Sequence, residues 1–130
     1  MILTETMSNR IVTEAYSYLN QPFDYHNFNC VHFIRKAYKS AGIEFPILSR
    51  KLYPPKNFNL SDKEFLQMPL GQCTFFKRKA TVSDRIWTHV AIIFSSEEMI
   101  HCTRHFGNKV TITAKEEFLG VYQFISNRSE

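Results

Sequence analysis

The sequence predicts an α+β domain in which N-terminal helices pack on an antiparallel sheet of about five strands. Two observations indicate this fold class. Apolar residues recur at helical spacing in the first third of the chain, whereas short segments of alternating apolar and polar residues fill the second half. We expect one domain over residues 1–130, because a chain of this length can bury a single core without crosslinks.

Two amphipathic helices are predicted before residue 45. Ser8 is placed to cap the first helix, which is expected to end at Leu19. The second helix is expected to run from Cys30 to Ala41, with Gly42 in the left-handed position that commonly follows a helix. The face of this helix that we expect to be buried contains Cys30, Phe33, Ile34, Ala37, Tyr38 and Ala41.

The rest of the chain is predicted to contain an irregular segment, one short helix and the sheet. Prolines interrupt residues 43–60, which indicates irregular structure there, and Ser61 with Glu64 forms a capping box typical of a helix start. Five strands are expected, at Cys73–Phe76, Thr88–Phe94, Met99–Thr103, Lys109–Thr113 and Gly120–Ile125.

Charge and cysteine content argue against some classes of function. The formal net charge is +4, but no nucleic-acid-binding motif accompanies the scattered basic residues, so nucleic acid is not an expected partner. Three cysteines without paired spacing argue against a disulfide framework. Cys73 and Cys102 lie in predicted strands and are interpreted as core thiols.

The N-terminus lacks the basic flank and apolar core of a signal peptide. No apolar run reaches the roughly 18 residues that a membrane span needs. We therefore expect a protein that is cytoplasmic as synthesised and has no membrane span. Export by a route that needs no cleaved leader is left open.

Cys30, His89 and His101 are the residues whose types and positions indicate chemistry. The even separation of His89 and His101 lets them share one face of a hairpin, and a five-residue loop centred on Ser95 would place them directly opposite each other. Another register would move them apart but keep them on one side. A thiol nucleophile needs a nearby base, which a third polar group usually orients. These three residues supply the three roles.

The position of Cys30 at the start of a helix favours a reactive thiol. Backbone N–H groups of the first turn and the positive end of the helix dipole stabilise a thiolate relative to a thiol. Asn29 is placed to cap this helix through its side chain. The first-turn N–H groups are also expected to stabilise a developing oxyanion.

Several segments resemble the NlpC family of bacterial cell-wall cysteine peptidases, which have a papain-like fold. QPFDYHNFNCVHFIRKAYKSAGIEFP is similar to the family's proline-aromatic entry, its Asp-Cys-Ser-Gly-Phe motif and its helix ending at Gly-Ile-x-x-Pro. LGQCTFF resembles its Pro-Gly-Asp-Leu-x-Phe-Phe strand, and THVAIIFSSEEMIHC resembles its His-Val-Gly-Ile-Tyr hairpin ending in Ile-His. These segments extend from about residue 20 to residue 103.

The resemblance implies that Cys30 is the nucleophile, His89 the general base and His101 the residue that orients His89. The implied reaction is hydrolysis of a peptide or isopeptide bond in peptidoglycan stem peptides, through a thioester acyl-enzyme and without a metal or cofactor. The motif differs here at Asn29, Val31 and His32, where the family has Asp, Ser and Gly. The residues expected to contact substrate are Phe23, Tyr25, His26, Asn29 and His32.

Other hypotheses follow from the same residues. The altered cysteine motif would also fit a catalytically idle binding module of the same fold, and the Cys-His chemistry could act on a non-cell-wall amide or on a thioester. An inhibitor or immunity protein that covers the thiol is also left open. A zinc site has suitable donors, although their spacing matches no structural zinc pattern, in His26, Cys30, His89, His101 and His105.

Overall fold

The computed structural model describes residues 3–44, 58–80 and 87–126. It confirms the predicted fold class, because helices pack on an antiparallel sheet. The helical elements are α1 (Glu5–Ser17), α2 (Cys30–Lys39), α3 (Asp62–Leu66) and a 3₁₀ helix at Lys115–Phe118. The strands are β1 (Phe58–Leu60), β2 (Cys73–Arg78), β3 (His89–Ile93), β4 (Glu98–Thr103), β5 (Lys109–Ala114) and β6 (Tyr122–Ser126).

The strands of the described residues form one sheet in the order β1-β6-β2-β3-β4-β5, and neighbouring strands are antiparallel. All five predicted strands are present, with ends that differ by one or two residues. The sequence does not predict β1, because three residues are too few to show an alternating pattern. This strand falls at the end of the expected irregular segment, of which residues 45–57 lie outside the described residues.

The first helix begins four residues earlier than predicted. Its N-cap is Thr4 rather than Ser8, and the Thr4 Oγ1 atom accepts a hydrogen bond from the Met7 N–H at 3.1 Å. Ser8 lies inside the helix and is buried, because the chain at Gly71 packs closely against it. The helix ends two residues before the predicted end at Leu19.

The second helix begins at Cys30, as predicted, and Asn29 is its N-cap. It ends two residues before the predicted end at Ala41, and a turn then leads to Gly42. The φ angle of Gly42 is +77°, which confirms the expected left-handed position. Five residues of the expected face are buried, namely Cys30, Phe33, Ile34, Ala37 and Tyr38.

Buried side chains form a cluster on each face of the sheet. The helix-side cluster lies between the sheet and helices α1 and α2, and it includes Cys30, Val90 and Cys102. The far-side cluster covers the other face and includes Phe76 and Phe118. Within the described ranges, no helix has the length and hydropathy that a transmembrane span requires.

Candidate active site

A reciprocal cap between Asn29 and His32 holds the start of α2. The Asn29 Oδ1 atom accepts hydrogen bonds from the Val31 N–H at 2.9 Å and from the His32 N–H at 3.2 Å. In return, the His32 Nδ1 atom accepts from the Asn29 N–H at 3.2 Å. The Asn29 Nδ2 atom also donates to the Tyr25 carbonyl at 3.0 Å, which a carboxylate could not do. Three residues predicted to contact substrate therefore fix the backbone on either side of Cys30.

This cap limits the predicted oxyanion site. The N–H groups of Val31 and His32 are donated to the Asn29 side chain, so they are already in use when a substrate arrives. The expectation that first-turn N–H groups stabilise an oxyanion therefore does not extend to these two groups.

The His32 ring folds back onto the N-cap, where its Nδ1 atom contacts the Asn29 N–H. Burial lowers the pKa of His32, and the nearby Arg35 and Lys36 side chains lower it further. A neutral His32 suits the cap, because the Nδ1 atom must carry a lone pair to accept a hydrogen bond from Asn29.

Cys30 is buried in the helix-side cluster, with 2% of its surface exposed. Cys102 of β4 lies in the same cluster, and its Sγ atom donates to the Phe28 carbonyl at 3.4 Å. Burial, and to a lesser extent the nearby Cys30, raises the pKa of Cys102 to about 12, so Cys102 remains a thiol at neutral pH. All three cysteines are described and none forms a disulfide, and the burial predicted for Cys73 and Cys102 is confirmed.

The loop that leads into α2 is anchored on the start of β5. The Phe23 N–H donates to the Asn108 carbonyl at 2.9 Å, and Pro22 forms a β-bridge with Lys109. The Phe23 ring is half-buried, and the guanidinium carbon of Arg104 lies 5.8 Å from its centroid. Contact between Phe23 and a substrate stays a prediction.

Tyr25 and His26 form an exposed turn of the same loop. Tyr25 is 57% exposed, and its ring meets the edge of the His26 ring with the centroids 5.1 Å apart. The Asp24 Oδ1 atom accepts a hydrogen bond from the His26 N–H at 3.1 Å and closes this turn. Both side chains precede Cys30 by a few residues, and their contact with substrate also stays a prediction.

His89 and His101 are hydrogen-bonded to each other. The His89 Nε2 and His101 Nδ1 atoms lie 2.8 Å apart, and the second ring nitrogen of His101, Nε2, lies 2.9 Å from the Oγ1 atom of Thr113. The three side chains thus link the start of β3 through β4 to β5. Thr113 is not among the residues predicted from the sequence. Alternation along β5, which places Thr111 and Thr113 on one face with His101, is the pattern that could have indicated it.

The β3–β4 hairpin has a register other than the one that would place His89 and His101 directly opposite, which is the alternative that the sequence left open. The pair Ile93 and Met99 encloses a five-residue loop centred on Ser96, one residue later than expected. Continuing that register offsets His101 by two residues from the position directly opposite His89. The two histidines are therefore not directly opposed, and the prediction of a shared face is confirmed, because diagonal neighbours remain within reach of an imidazole.

Aromatic rings surround the histidine pair. The His101 ring lies 5.5 Å from the Phe106 ring and 5.6 Å from the Phe118 ring, measured between centroids, and the His89 ring lies 5.1 Å from that of Phe76. His101 is fully buried, and this burial lowers its pKa from 6.5 to about 3. His101 is therefore neutral at pH 7, so one ring nitrogen carries a proton and the other accepts a hydrogen bond.

Cys30 and the two histidines lie toward different faces of the hairpin. Val90 and Cys102 belong to the helix-side cluster with Cys30, whereas the rings of His89 and His101 contact phenylalanines of the far-side cluster. Helix α2 packs directly on β3 and β4. His89 is the first residue of β3 and is half-buried, so its side chain lies at the end of the strand rather than in its middle.

The described residues contain no group of three or more His, Cys, Asp or Glu side chains that could hold a metal ion. His26 and His105, two of the five donors of the alternative zinc hypothesis, are exposed on loops. The donors of that hypothesis are therefore not gathered into one site by this structure.

Comparisons with known proteins give different results for the sequence and for the fold. No protein-family model matches the sequence, and no curated protein matches it significantly. Solved structures do match. A Staphylococcus aureus protein described as similar to a lipoprotein of the NLP/P60 family is 19% identical, with a TM-score of 0.67 over 98% of this chain and 44% of that one.

Two further structures extend the likeness beyond that organism. NlpC2 from Trichomonas vaginalis is 14% identical, with a TM-score of 0.70 over 100% of this chain and 49% of its own. The peptidoglycan hydrolase RipB from Mycobacterium tuberculosis is 13% identical, with a TM-score of 0.68 over 96% of this chain and 66% of its own. This chain thus spans about half the length of the first two proteins. The protein has the papain-like α+β fold of the NlpC/P60 proteins.

Proposed function

We propose that the protein is a cysteine hydrolase that cleaves an amide bond, with Cys30 as nucleophile, His89 as general base and His101 as the residue that orients His89. The observation that carries this proposal is the 2.8 Å hydrogen bond between His89 and His101. The hairpin that holds this pair packs against the helix that begins at Cys30. A general base needs a fixed ring orientation, and a second buried side chain supplies it.

In the proposed reaction, the Cys30 Sγ atom attacks the carbonyl carbon of the substrate. The thiol proton passes to Nδ1 of His89, since the other ring nitrogen, Nε2, is the one bonded to His101. Collapse of the tetrahedral intermediate breaks the C–N bond, and His89 returns the proton to the leaving amine. Water, deprotonated by His89, then attacks the thioester, which releases a carboxylic acid and restores the thiol of Cys30.

The surroundings of His101 suit this role. Because burial lowers the pKa of His101 to about 3, it does not compete with His89 for the proton of the thiol. Its unprotonated Nδ1 atom can accept the Nε2–H of His89, which stabilises the imidazolium that forms during the reaction.

The altered cysteine motif supports a working site better than an idle module. Asn29 and His32 replace Asp and Gly of the NlpC motif, and the two new side chains cap the helix jointly through reciprocal hydrogen bonds. A neutral cap also places no carboxylate beside Cys30, which would disfavour a thiolate. The departures from the motif therefore preserve the backbone that presents the sulfur.

We propose peptide or isopeptide bonds of peptidoglycan stem peptides as the substrate class. The support is the shared fold with RipB, which is described as a peptidoglycan hydrolase. The alternative is that the same chemistry acts on a non-cell-wall peptide or on a thioester. Compounds of both kinds are therefore included as substrates in the experiment.

The test is a cleavage assay on purified muropeptides, a non-wall peptide library and model thioesters, with products identified by mass spectrometry. We expect cleavage of at least one muropeptide amide bond by the wild type. Cys30→Ala should lower kcat by at least about 1,000-fold. Cys73→Ala is the matched control, because it removes a second buried thiol from the same cluster.

Turnover that is unchanged in Cys30→Ala would overturn the mechanism. If turnover depends on Cys30 but occurs only with non-wall substrates, the proposed mechanism stands and the proposed substrate class is wrong. Binding of muropeptides without cleavage, equal in wild type and Cys30→Ala, would favour the binding module instead.

A further inference from the structure

Thr113 occupies the far end of the hydrogen-bond chain that begins at His89. Its Oγ1 atom lies 2.9 Å from the His101 Nε2 atom, and both residues are buried. Thr113 is opposite Met99 in the β4–β5 ladder, so it reaches His101 along a diagonal of the same face. The contact is therefore built into the register of two strands.

A neutral histidine carries one ring proton, and its partners decide which nitrogen holds that proton. Two arrangements are compatible with the distances at His101. In the first, His89 donates to His101, and the Nε2–H of His101 donates to Thr113. In the second, Thr113 donates to Nε2 of His101, and His101 donates from Nδ1 to His89.

These arrangements have opposite consequences for His89. In the first, the proton of neutral His89 is on Nε2, so its Nδ1 atom carries the lone pair that a base needs. In the second, Nε2 of His89 accepts a hydrogen bond, and the proton of the neutral ring sits on Nδ1. His89 cannot then take a proton from a thiol at Nδ1.

We propose that Thr113 is a positioning residue that holds His101 in its Nε2–H tautomer and thereby keeps Nδ1 of His89 unprotonated. Thr113 acts only through the histidines. The proposal deepens the proposed hydrolase function and rests on it, but the tautomers themselves can be measured without a substrate.

The surroundings of His101 explain why the Thr113 hydroxyl can determine the tautomer of this ring. The rings of Phe106 and Phe118 flank the imidazole and offer it no hydrogen-bonding oxygen or nitrogen. Replacing Thr113 by valine keeps the shape and the strand preference of the side chain but removes the acceptor. A buried N–H without an acceptor is unfavourable, so the proton of His101 should move to Nδ1, where Nε2 of His89 can accept it.

The experiment is NMR of the imidazole nitrogens in isotopically labelled protein at pH 7. The wild type should show both His89 and His101 protonated at Nε2. Thr113→Val should move the proton of both rings to Nδ1, and Thr113→Ser should keep the wild-type pattern. In the hydrolysis assay, Thr113→Val should lower kcat about 10- to 100-fold with little change in KM. Thr113→Ser should stay within about threefold of the wild type, since its hydroxyl accepts the same bond.

A wild type with His101 protonated at Nδ1 would overturn the proposal, and this result needs no variant. Unchanged tautomers in Thr113→Val would also overturn it. If the tautomers respond as expected and no substrate is cleaved, the role of Thr113 stands and the proposed function fails. If cleavage depends on Cys30 but the tautomers ignore Thr113, the proposed function stands and this inference fails.

Discussion

The Nδ1 atom of His101 lies 2.8 Å from the Nε2 atom of His89, although the two residues are offset diagonally across the β3–β4 hairpin. One ring is half-buried at the start of a strand, and the other is enclosed by aromatic side chains. The two histidines therefore lie in different environments, and the enclosed ring is held neutral at pH 7. We infer a division of labour in which His101 orients and His89 exchanges protons.

Stability should depend on pH through His101. The pKa of this residue is lowered to about 3 in the fold from an ordinary value of 6.5, so between these values the unfolded chain binds a proton that the folded chain does not. Stability is therefore lost as the pH falls through this range, at up to about 1.4 kcal/mol per pH unit. His101→Gln removes the group, so the difference in free energy of unfolding between wild type and variant should shrink from pH 7 to pH 4. Urea unfolding at each pH measures this difference, and a constant difference would show that the protonation of His101 is not linked to folding.

Asn29 should affect stability and thiol reactivity separately. Asn29→Ala removes the acceptor of the cap and should destabilise the protein by about 1 kcal/mol. Asn29→Asp keeps that acceptor but loses the hydrogen bond to the Tyr25 carbonyl, and it places a carboxylate beside Cys30. With about 1 kcal/mol of repulsion, alkylation of Cys30 at pH 7 should slow roughly fivefold. Equal alkylation rates in wild type and Asn29→Asp would show that the cap has no electrostatic influence on the sulfur.

Gly71 should tolerate substitution less well than Gly42. Both have positive φ angles, +83° and +77°, but a Cβ at Gly71 would lie 3.0 Å from the Cα atom of Ser8, whereas a Cβ at Gly42 would meet nothing within 4 Å. The Tyr38 hydroxyl also donates to the Gly71 carbonyl at 2.6 Å and opposes a shift of the loop. Gly42→Ala should cost about 1 kcal/mol, and Gly71→Ala at least about 2 kcal/mol. Thermal unfolding compares the two, and similar losses would contradict this packing.

Much of the fold follows from local sequence patterns. The helix from Cys30 is set by apolar spacing, and Gly42 marks the turn after its end. The capping box of Ser61 and Glu64 forms as predicted, with the Ser61 Oγ atom accepting from the Glu64 N–H at 3.1 Å. Such features involve residues within one or two turns of each other, so a single segment of sequence contains all the information.

The elements that were mispredicted depend on contacts between distant segments. Ser8 is a good capping residue, but Thr4 caps the first helix, and Ser8 lies inside the helix, buried against Gly71. The Phe94 ring, at the start of the hairpin loop, stacks on Tyr16 of α1, with centroids 5.8 Å apart. No pattern within a hairpin indicates such a contact, and the sequence left two hairpin registers open.

The candidate site also contains some features that local sequence predicts and others that depend on contacts between distant segments. Residue types and spacing were enough to single out Cys30, His89 and His101, and the histidine pair was found on one face. The reciprocal cap of Asn29 and His32 follows from spacing once the helix start is known, because a capping box joins residues three apart. Thr113 is 12 residues from His101 on another strand, so only the β4–β5 register reveals it.

Cys30 and His89 are proposed to act as a pair, and competitive alkylation measures this coupling at the sulfur itself. Iodoacetamide labelling of the folded protein from pH 5 to pH 9, with each cysteine followed by mass spectrometry, compares Cys30 with the buried thiols Cys73 and Cys102. We predict that Cys30 reacts fastest at pH 7 and that His89→Ala slows it about tenfold or more, while the other two cysteines are unaffected. Equal labelling of all three cysteines, or a Cys30 that reacts at the same rate without His89, would show that the two residues do not act as a nucleophile–base pair.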